Sequence, residues 1–200
     1  MEDLYNHDWI NIDGNYIHKT AIVHDNVKLG KGNTIGAYAV IGGNGEIRGV
    51  KQGDFKGWVE IGNDNVISEL TTIQRPYSET CTKIGNNNII MAHSHIGHDV
   101  QIGDDCEICT GTILGGYVIV ENKVKLKLGV TIRNRKRINT QALVGLGAVV
   151  VKDVEQNTVM VGNPAKELIK PIEIKKIKCH CTDDETRHDC LSNCDYSAQS

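Results

Sequence analysis

The sequence predicts an all-β protein built as a parallel β-helix, a column with three flat sides. Three observations support this: aliphatic residues recur at every sixth position, Gly often follows them, and aromatic residues make up only 4% of the 200 residues. A period of six fits neither the 3.6-residue turn of an α-helix nor the alternation of a hairpin sheet. It fits a chain in which each hexad contributes a short strand and a corner, so that three hexads complete one triangular coil.

The ladder of aliphatic residues starts at Ile17 and, after two interruptions, runs without a break from Ile84 to Val150. Its members are Ile17, Val23, Leu29, Ile35, Ile41, Ile61, Ile67, Ile73, Ile84, Ile90, Ile96, Ile102, Ile108, Leu114, Val120, Leu126, Ile132, Ile138, Val144 and Val150. We expect these side chains to pile up inside the column as successive coils stack at a spacing of about 4.8 Å. The repeat predicts one β-helix domain over residues 1–168.

Two insertions interrupt the ladder, at residues 42–60 and 76–83. A solenoid commonly places its functional loops at such interruptions, so both segments are expected to project from the column. After Val150 the repeat gives way to a segment ending in GNPAK, which predicts a turn followed by a short helix or an extended cap.

Residues 169–200 do not follow the repeat and form a short cap and a Cys- and His-rich tail. The tail holds Cys179, Cys181, Cys190 and Cys194, whose spacing matches no standard zinc-binding pair. Zinc binding, disulfides and a disordered appendage all stay open for it. In the repeat, Cys106 and Cys109 are interpreted as packing residues.

Charge and composition exclude several classes of partner. The formal net charge of −3 and the lack of long Lys or Arg runs disfavour a nucleic-acid surface. The N-terminal MEDLYNHDWI lacks the basic and apolar regions of a signal peptide, and no apolar stretch approaches the length of a membrane span. The expected location is therefore cytoplasmic.

Hexads of the form Ile-Gly-x-x-small-x over residues 12–168 resemble those of the left-handed β-helix acyltransferases, and the left-handed winding comes from this resemblance. The stretches QGDFKGWVEIG, VISELTTIQR and AHSHIGHDVQIG are similar to the UDP-N-acetylglucosamine acyltransferases of lipid A synthesis. The closing GAVVVKDVEQNTVMVGNPAK instead resembles sugar acetyltransferases that use acetyl-CoA.

The resemblance implies a homotrimer with active sites in the grooves between neighbouring columns. Such a trimer predicts an outward aliphatic face, for which Val118, Val124 and Val130 are the candidates.

The resemblance assigns catalytic roles to three residues. Acyl transfer needs a base for the proton of the nucleophile and a donor for the oxyanion. His98 matches the catalytic His of the family, and the adjacent Asp99 would orient its ring. Gly116 matches the position whose backbone amide meets the oxyanion.

Four further residues are expected to bind the acceptor sugar nucleotide. Asp54 and Lys56 in the first insertion match family positions that contact sugar and phosphate. His95 is placed near the substrate, and Tyr117 stands where the lipid A enzymes carry His.

The acyl donor is expected to contact four other residues. Arg133 and Asn134 replace a His-Gln pair of the lipid A enzymes, and they open a basic run, RNRKR. With Lys166 of GNPAK, this run is a candidate site for the phosphates of CoA or the acidic face of an acyl carrier protein, although a solvated surface fits it equally well. Leu146 stands where the lipid A enzymes keep a small residue beside the acyl tail, which favours a short acyl group.

The sequence therefore favours an enzyme that moves an acetyl group from acetyl-CoA to a hydroxyl or amine of a nucleotide-linked sugar, with no cofactor. One alternative is an acyl carrier protein-dependent UDP-N-acetylglucosamine O-acyltransferase. A non-catalytic scaffold and a γ-type carbonic anhydrase of the same architecture also stay open. A zinc site at His93, His95 and His98 is disfavoured because no acidic or Cys ligand completes the set nearby.

Overall fold

The computed structural model describes residues 8–168, which fold as a three-sided parallel β-helix. Each coil lays one short strand on each of three sheets, named A, B and C in the order in which the chain visits them. The tail at residues 169–200, with its Cys and His residues, lies outside the described residues.

Sheet A has ten strands and sheet B has seven. The strands of sheet A are β1 (Trp9–Ile12), β2 (Asn15–His18), β5 (Thr34–Ile35), β8 (Val66–Ile67), β11 (Ile89–Ile90), β14 (Glu107–Ile108), β17 (Lys125–Leu126), β20 (Leu143–Val144), β22 (Val159–Val161) and β23 (Lys166–Glu167). Those of sheet B are β3 (Ile22–Val23), β6 (Val40–Asn44), β9 (Thr72–Arg75), β12 (His95–Ile96), β15 (Ile113–Leu114), β18 (Thr131–Ile132) and β21 (Val149–Val150).

Sheet C has six strands. They are β4 (Val27–Leu29), β7 (Trp58–Ile61), β10 (Cys81–Ile84), β13 (Gln101–Ile102), β16 (Ile119–Val120) and β19 (Arg137–Ile138). Neighbouring strands pair in parallel, and residues 18 positions apart stand in register from β10 to β21, as Ile84 does with Ile102. The two exceptions are the antiparallel pairs β1–β2 and β22–β23 near the ends of the described column.

The predicted ladder forms the core. Rungs from each sheet, such as Ile35, Ile96 and Ile138, are fully buried. Burying a side chain of this size contributes roughly 1.5–3 kcal/mol, so the stack of rungs is the main source of stability. Among the residues of the predicted ladder, only Val23 and Leu29, in the first coils, are partly exposed.

The prediction that Val118, Val124 and Val130 form an outward aliphatic face is wrong. Val118, Val124 and Val130 are all 0% exposed and belong to the core. Each is the fifth residue of its hexad, where the chain turns a corner and the side chain points into the angle between two sheets. The same position holds Ala39, Thr71 and other small residues because the corner of a narrow triangle has little room.

At the corner between sheets C and A, the inward position carries a buried polar ladder. Asn15, Asn33, Asn65 and Asn88 lie one above the other. Each side-chain carbonyl accepts hydrogen bonds from the backbone amide and side-chain amide of the next Asn, at 2.9–3.0 Å. The ladder ends at Cys106, whose amide donates to Asn88 Oδ1 at 2.8 Å.

Both insertions leave the column at the corner between sheets B and C, which we call the BC corner. Strands β6 and β7 take up the ends of the first predicted insertion, so residues 45–57 protrude, with a 3₁₀ helix at Gln52–Asp54. Strand β10 likewise begins at Cys81, and residues 76–80 form the second insertion. The GNPAK segment adopts the extended alternative, as the turn between β22 and β23.

Within residues 8–168, no helix has the length and apolar character needed to cross a membrane.

Candidate active site

The candidate catalytic residues lie at the BC corner, one coil after the two insertions. His98 and Asp99 follow strand β12, and Gly116 and Tyr117 occupy the same corner in the next coil. Backbone hydrogen bonds hold the two turns in register, from the Tyr117 amide to the His98 carbonyl at 3.0 Å. The repeat therefore places residues that are 18 positions apart in direct contact.

The side chains of His98 and Asp99 form a hydrogen-bonded pair. His98 Nδ1 and Asp99 Oδ2 are 2.8 Å apart, and the two side chains are 14% and 11% exposed. An ionised carboxylate can only accept, so Nδ1 donates in this bond, and in the neutral imidazole the lone pair is then on Nε2. The pair thus presents a base at Nε2.

Two glycines make room for the imidazole ring. A Cβ added to Gly116 would stand 2.6 Å from His98 Nε2, and one added to Gly45 would stand 3.0 Å from the His98 Cβ. A side chain at Gly116 must displace the ring, and one at Gly45 would make a contact with the His98 side chain that is tighter than usual. Gly45 begins the first insertion, so that insertion closes over the base from the preceding coils.

Tyr117 and Arg135 continue the stack beyond His98. The rings of His98 and Tyr117 meet edge to face, with centroids 5.1 Å apart. The Arg135 guanidinium lies over the Tyr117 ring, 4.2 Å from its centroid. Tyr117 therefore contacts the base directly, and its ring also binds a cation.

His95 lies on the outer face of sheet B, close to the same corner. Its Nδ1 is 2.8 Å from the Thr72 hydroxyl. Burial lowers the pKa of His95, and His98 adds to this shift, whereas the Glu46 carboxylate in the first insertion opposes it. His95 is therefore set up as a neutral group beside the pair.

The first insertion carries Asp54 and Lys56, both exposed. It is packed against the second insertion, where Phe55 and Tyr77 meet edge to face with centroids 5.9 Å apart. The Lys56 amide donates to the Tyr77 carbonyl at 2.9 Å, and Lys56 Nζ stands 3.9 Å from Glu79. The two insertions thus form one ordered rim beside His98.

The residues assigned to the donor do not all come together. Arg133 and Asn134 lie at the BC corner, one coil beyond Gly116, and both are exposed. Leu146, which is 69% exposed, lies at the corner between sheets A and B, and Lys166 lies in β23 of sheet A. Within one chain, these last two belong to a different edge of the column from His98.

Sequence reasoning missed several residues around the pair, among them Gly45, Thr80 and Arg135. The two insertions lack the hexad period, so nothing in the sequence marks Gly45 or Thr80 as neighbours of His98. Arg135 could have been found by counting 18 positions from Tyr117. Among residues 8–168, no three His, Cys, Asp or Glu side chains converge as a metal site requires.

Comparison with known proteins shows that the chain is similar to hexapeptide-repeat proteins. The family model described as bacterial transferase hexapeptide (six repeats) matches residues 81–116, the segment from β10 to Gly116. An acyl-[acyl-carrier-protein]–UDP-N-acetylglucosamine O-acyltransferase from Synechocystis is 32% identical over 146 residues, which are 72% of this chain and 52% of the relative. Another, from Pseudomonas aeruginosa, is 38% identical over 108 residues, covering 53% of this chain and 42% of the relative. The chain spans about half the length of the curated relatives it matches.

Solved structures agree with the sequence matches. A UDP-N-acetylglucosamine acyltransferase from Bacteroides fragilis superposes with a TM-score of 0.73 at 28% identity, covering 78% of this chain and 61% of that one. The Arabidopsis enzyme gives a TM-score of 0.70 at 28% identity, with 78% and 62% covered. The described residues therefore form a left-handed parallel β-helix of hexapeptide repeats, as the resemblance implied.

Proposed function

We propose that this left-handed hexapeptide-repeat β-helix is an acyltransferase that moves an acyl group from a thioester to a hydroxyl of a nucleotide-linked sugar. The observation that carries the proposal is the His98–Asp99 pair, whose free Nε2 faces the backbone of Gly116. A base, an orienting carboxylate and an adjacent backbone amide are the groups that acyl transfer requires.

In the proposed reaction, His98 Nε2 takes the proton of the sugar hydroxyl as its oxygen attacks the thioester carbonyl carbon. The Gly116 amide donates to the oxyanion of the tetrahedral intermediate, and among the described residues no group accepts a hydrogen bond from this amide. The carbon–sulfur bond then breaks, and the protonated His98 returns its proton to the departing thiolate. Asp99 stabilises the imidazolium and keeps its ring in place.

The rim formed by the two insertions is the proposed acceptor site. Lys56 supplies a cation for the phosphates of the nucleotide, and Asp54 supplies a carboxylate that accepts hydrogen bonds from hydroxyl groups. His95 and Tyr117 border the same corner, so a sugar held there would reach Nε2. UDP-N-acetylglucosamine is the acceptor we propose, because it is named in the matched relatives.

The matched relatives favour an acyl carrier protein as donor over the acetyl-CoA that the sequence suggested. Leu146 lies at a different corner from His98 within one chain, so it can limit the acyl length only at a site shared with another copy. Arg133 and Arg135, both exposed, give the coil beyond the base a positive surface, which suits an acidic carrier, whereas Arg137 is paired with Glu121 at 2.7 Å.

We also propose that three copies assemble side by side. Leu146 and Lys166 can approach His98 only if another copy supplies them. Although Val118, Val124 and Val130 are buried, other aliphatic side chains do face outward, since Ile89 and Ile113 are each 45% exposed on sheets A and B. Sedimentation equilibrium would show a particle of three 22.0 kDa chains, whereas a monomer would refute the assembly.

The test of the reaction is thiol release with UDP-N-acetylglucosamine and a panel of donors, namely acyl carrier proteins of several acyl lengths and acetyl-CoA. We expect turnover with the carrier proteins and a loss of roughly 10²- to 10⁴-fold in His98→Asn. His24→Asn is the matched control, because His24 is an exposed His of the first coil, three coils away from His98. An unchanged rate in His98→Asn would exclude this role for His98, and no release with any donor would favour a non-catalytic scaffold.

A further inference from the structure

The carboxylate of Asp99 is held from both sides. Its Oδ2 faces His98 Nδ1 at 2.8 Å, and its Oδ1 accepts a hydrogen bond from the Thr80 hydroxyl, also at 2.8 Å. Thr80 is the last residue of the second insertion. The His98–Asp99 pair is therefore hydrogen-bonded to the second insertion, which leaves the column one coil earlier.

Thr80 is itself held in place by the backbone. Its amide donates to the Ser78 carbonyl at 2.8 Å, and its carbonyl accepts from the Trp58 amide at 3.2 Å. The backbone that carries the hydroxyl is thus hydrogen-bonded to Trp58, the first residue of strand β7 after the first insertion. It reaches Asp99 from a defined direction rather than as a free surface group.

A second threonine fixes the backbone of Asp99. The Asp99 amide donates to the Thr82 hydroxyl at 2.9 Å, and this hydroxyl donates to the Gln74 carbonyl at 2.7 Å. Thr82 is fully buried and anchors the turn, so its replacement would also disturb the fold. Thr80, in contrast, is exposed, and its hydroxyl can be removed without opening the core.

We propose that Thr80 is a positioning residue for the His98–Asp99 pair, an inference that rests on the function proposed above. The Asp99 side chain can rotate about its Cα–Cβ bond, and a rotated carboxylate would leave Nδ1 without an acceptor. By binding Oδ1, Thr80 keeps Oδ2 on Nδ1. His98 then stays in the tautomer whose Nε2 accepts the proton of the substrate. The second insertion thereby gains a role: it delivers this hydroxyl to the pair.

The kinetic test compares Thr80→Val, which removes the hydroxyl at nearly constant shape, with Thr80→Ser, which keeps it. With UDP-N-acetylglucosamine and acyl carrier protein donors, we expect Thr80→Val to lower kcat by about 10- to 100-fold with little change in KM. We expect Thr80→Ser to restore most of the rate. Thr34→Val is the matched control, because Thr34 lies in β5 of sheet A, away from the rim and the BC corner, and it should behave as wild type.

A double-variant comparison separates positioning from general damage. If Thr80 acts through Asp99, the Thr80→Val loss should disappear in an Asp99→Ala background. The same loss in both backgrounds would overturn the proposal, as would a Thr80→Val enzyme with wild-type kcat.

A spectroscopic readout decides the case even if no substrate is turned over. In ¹⁵N-histidine-labelled protein, with the His98 signals assigned from His98→Asn, we expect the wild-type ring to show a protonated Nδ1 and an unprotonated Nε2. Thr80→Val should shift these signals towards a mixture of tautomers, and Thr34→Val should leave them in place. Unchanged His98 signals in Thr80→Val would refute the positioning role. Absence of turnover in wild type, with the shift present, would refute only the proposed reaction.

Discussion

The backbone of Gly116 lies against the imidazole of His98, and a Cβ added to Gly116 would stand 2.6 Å from Nε2 and 2.7 Å from Cε1. These are closer approaches than carbon and nitrogen atoms tolerate, so a single methyl group must push the ring away. The His98 side chain is 14% exposed and lies outside the aliphatic core, so the ring can be displaced without opening that core. Adding a side chain at Gly116 should therefore displace the His98 ring but leave the β-helix intact.

We expect Gly116→Ala to lower kcat by roughly 10²-fold or more, since the displaced ring loses both its bond to Asp99 and its approach to the substrate. The unfolding midpoint should change little. Gly43→Ala is the matched control, because a Cβ there meets only a Val40 methyl at an ordinary 3.7 Å. Thiol-release kinetics and thermal unfolding of the two variants check this, and a Gly116→Ala enzyme with normal kcat would contradict the geometry.

The rim residues should affect binding of the acceptor and not the chemical step. We expect Lys56→Ala to raise KM for UDP-N-acetylglucosamine about 10- to 100-fold, as loss of a charge-assisted contact to phosphate does, with kcat nearly unchanged. Asp54→Asn should act in the same direction.

Lys51→Ala is the control for this prediction, since Lys51 is an exposed lysine of the same insertion. Stability should not change in Lys56→Ala, because the ion pair of Lys56 with Glu79 is long and exposed. Equal KM values for Lys56→Ala and Lys51→Ala would remove the rim from the acceptor site.

The six-residue period was enough to predict the column, because burial of one aliphatic residue per strand leaves few other ways to wind the chain. It was not enough to orient every hexad position. Val118, Val124 and Val130 look like strand residues in sequence, yet the tight corner turns them inward. The contacts around His98 divide in the same way. Gly116 follows from the repeat at a spacing of 18 residues, whereas Thr80 comes from an aperiodic loop whose path depends on packing.

The buried Asn ladder should make a large contribution to stability. The Asn65 amide nitrogen donates to Asn33 Oδ1 and to the Gly85 carbonyl, and its Oδ1 accepts two bonds from Asn88. Asn65→Ala leaves several of these buried groups without partners, each at a cost of roughly 1–3 kcal/mol. We expect the free energy of unfolding to fall by about 2–5 kcal/mol in urea titrations.

Asn63→Ala tests whether burial is the cause. Asn63 lies in the same coil and also joins an Asn stack, accepting from the Lys31 amide at 2.9 Å, but it is exposed. Water can replace its bonds, so its loss should be about 1 kcal/mol or less. Equal losses for the two variants would show that burial does not set the strength of the ladder.

The Asn ladder ends at Cys106, and the buried thiol of this residue makes the free energy of unfolding depend on pH in the alkaline range. Burial raises the pKa of Cys106 from an ordinary value of 9.0 to about 11. The folded protein therefore favours the neutral thiol, and its contribution is fully present below pH 9 and is lost as pH rises towards 11. A shift of this size corresponds to roughly 2–3 kcal/mol, taken as an order of magnitude.

Cys106→Ser isolates the effect, since a Ser hydroxyl can still donate to the Glu121 carbonyl, which the thiol contacts at 3.0 Å, but does not ionise in this range. We expect the difference in unfolding free energy between wild type and Cys106→Ser to stay constant from pH 7 to 9 and to move against wild type between pH 9 and 10.5. Subtraction cancels the titration of the other thiols and of the lysines. A difference that stays flat across this range would mean that Cys106 ionises as readily in the folded chain as in the unfolded one.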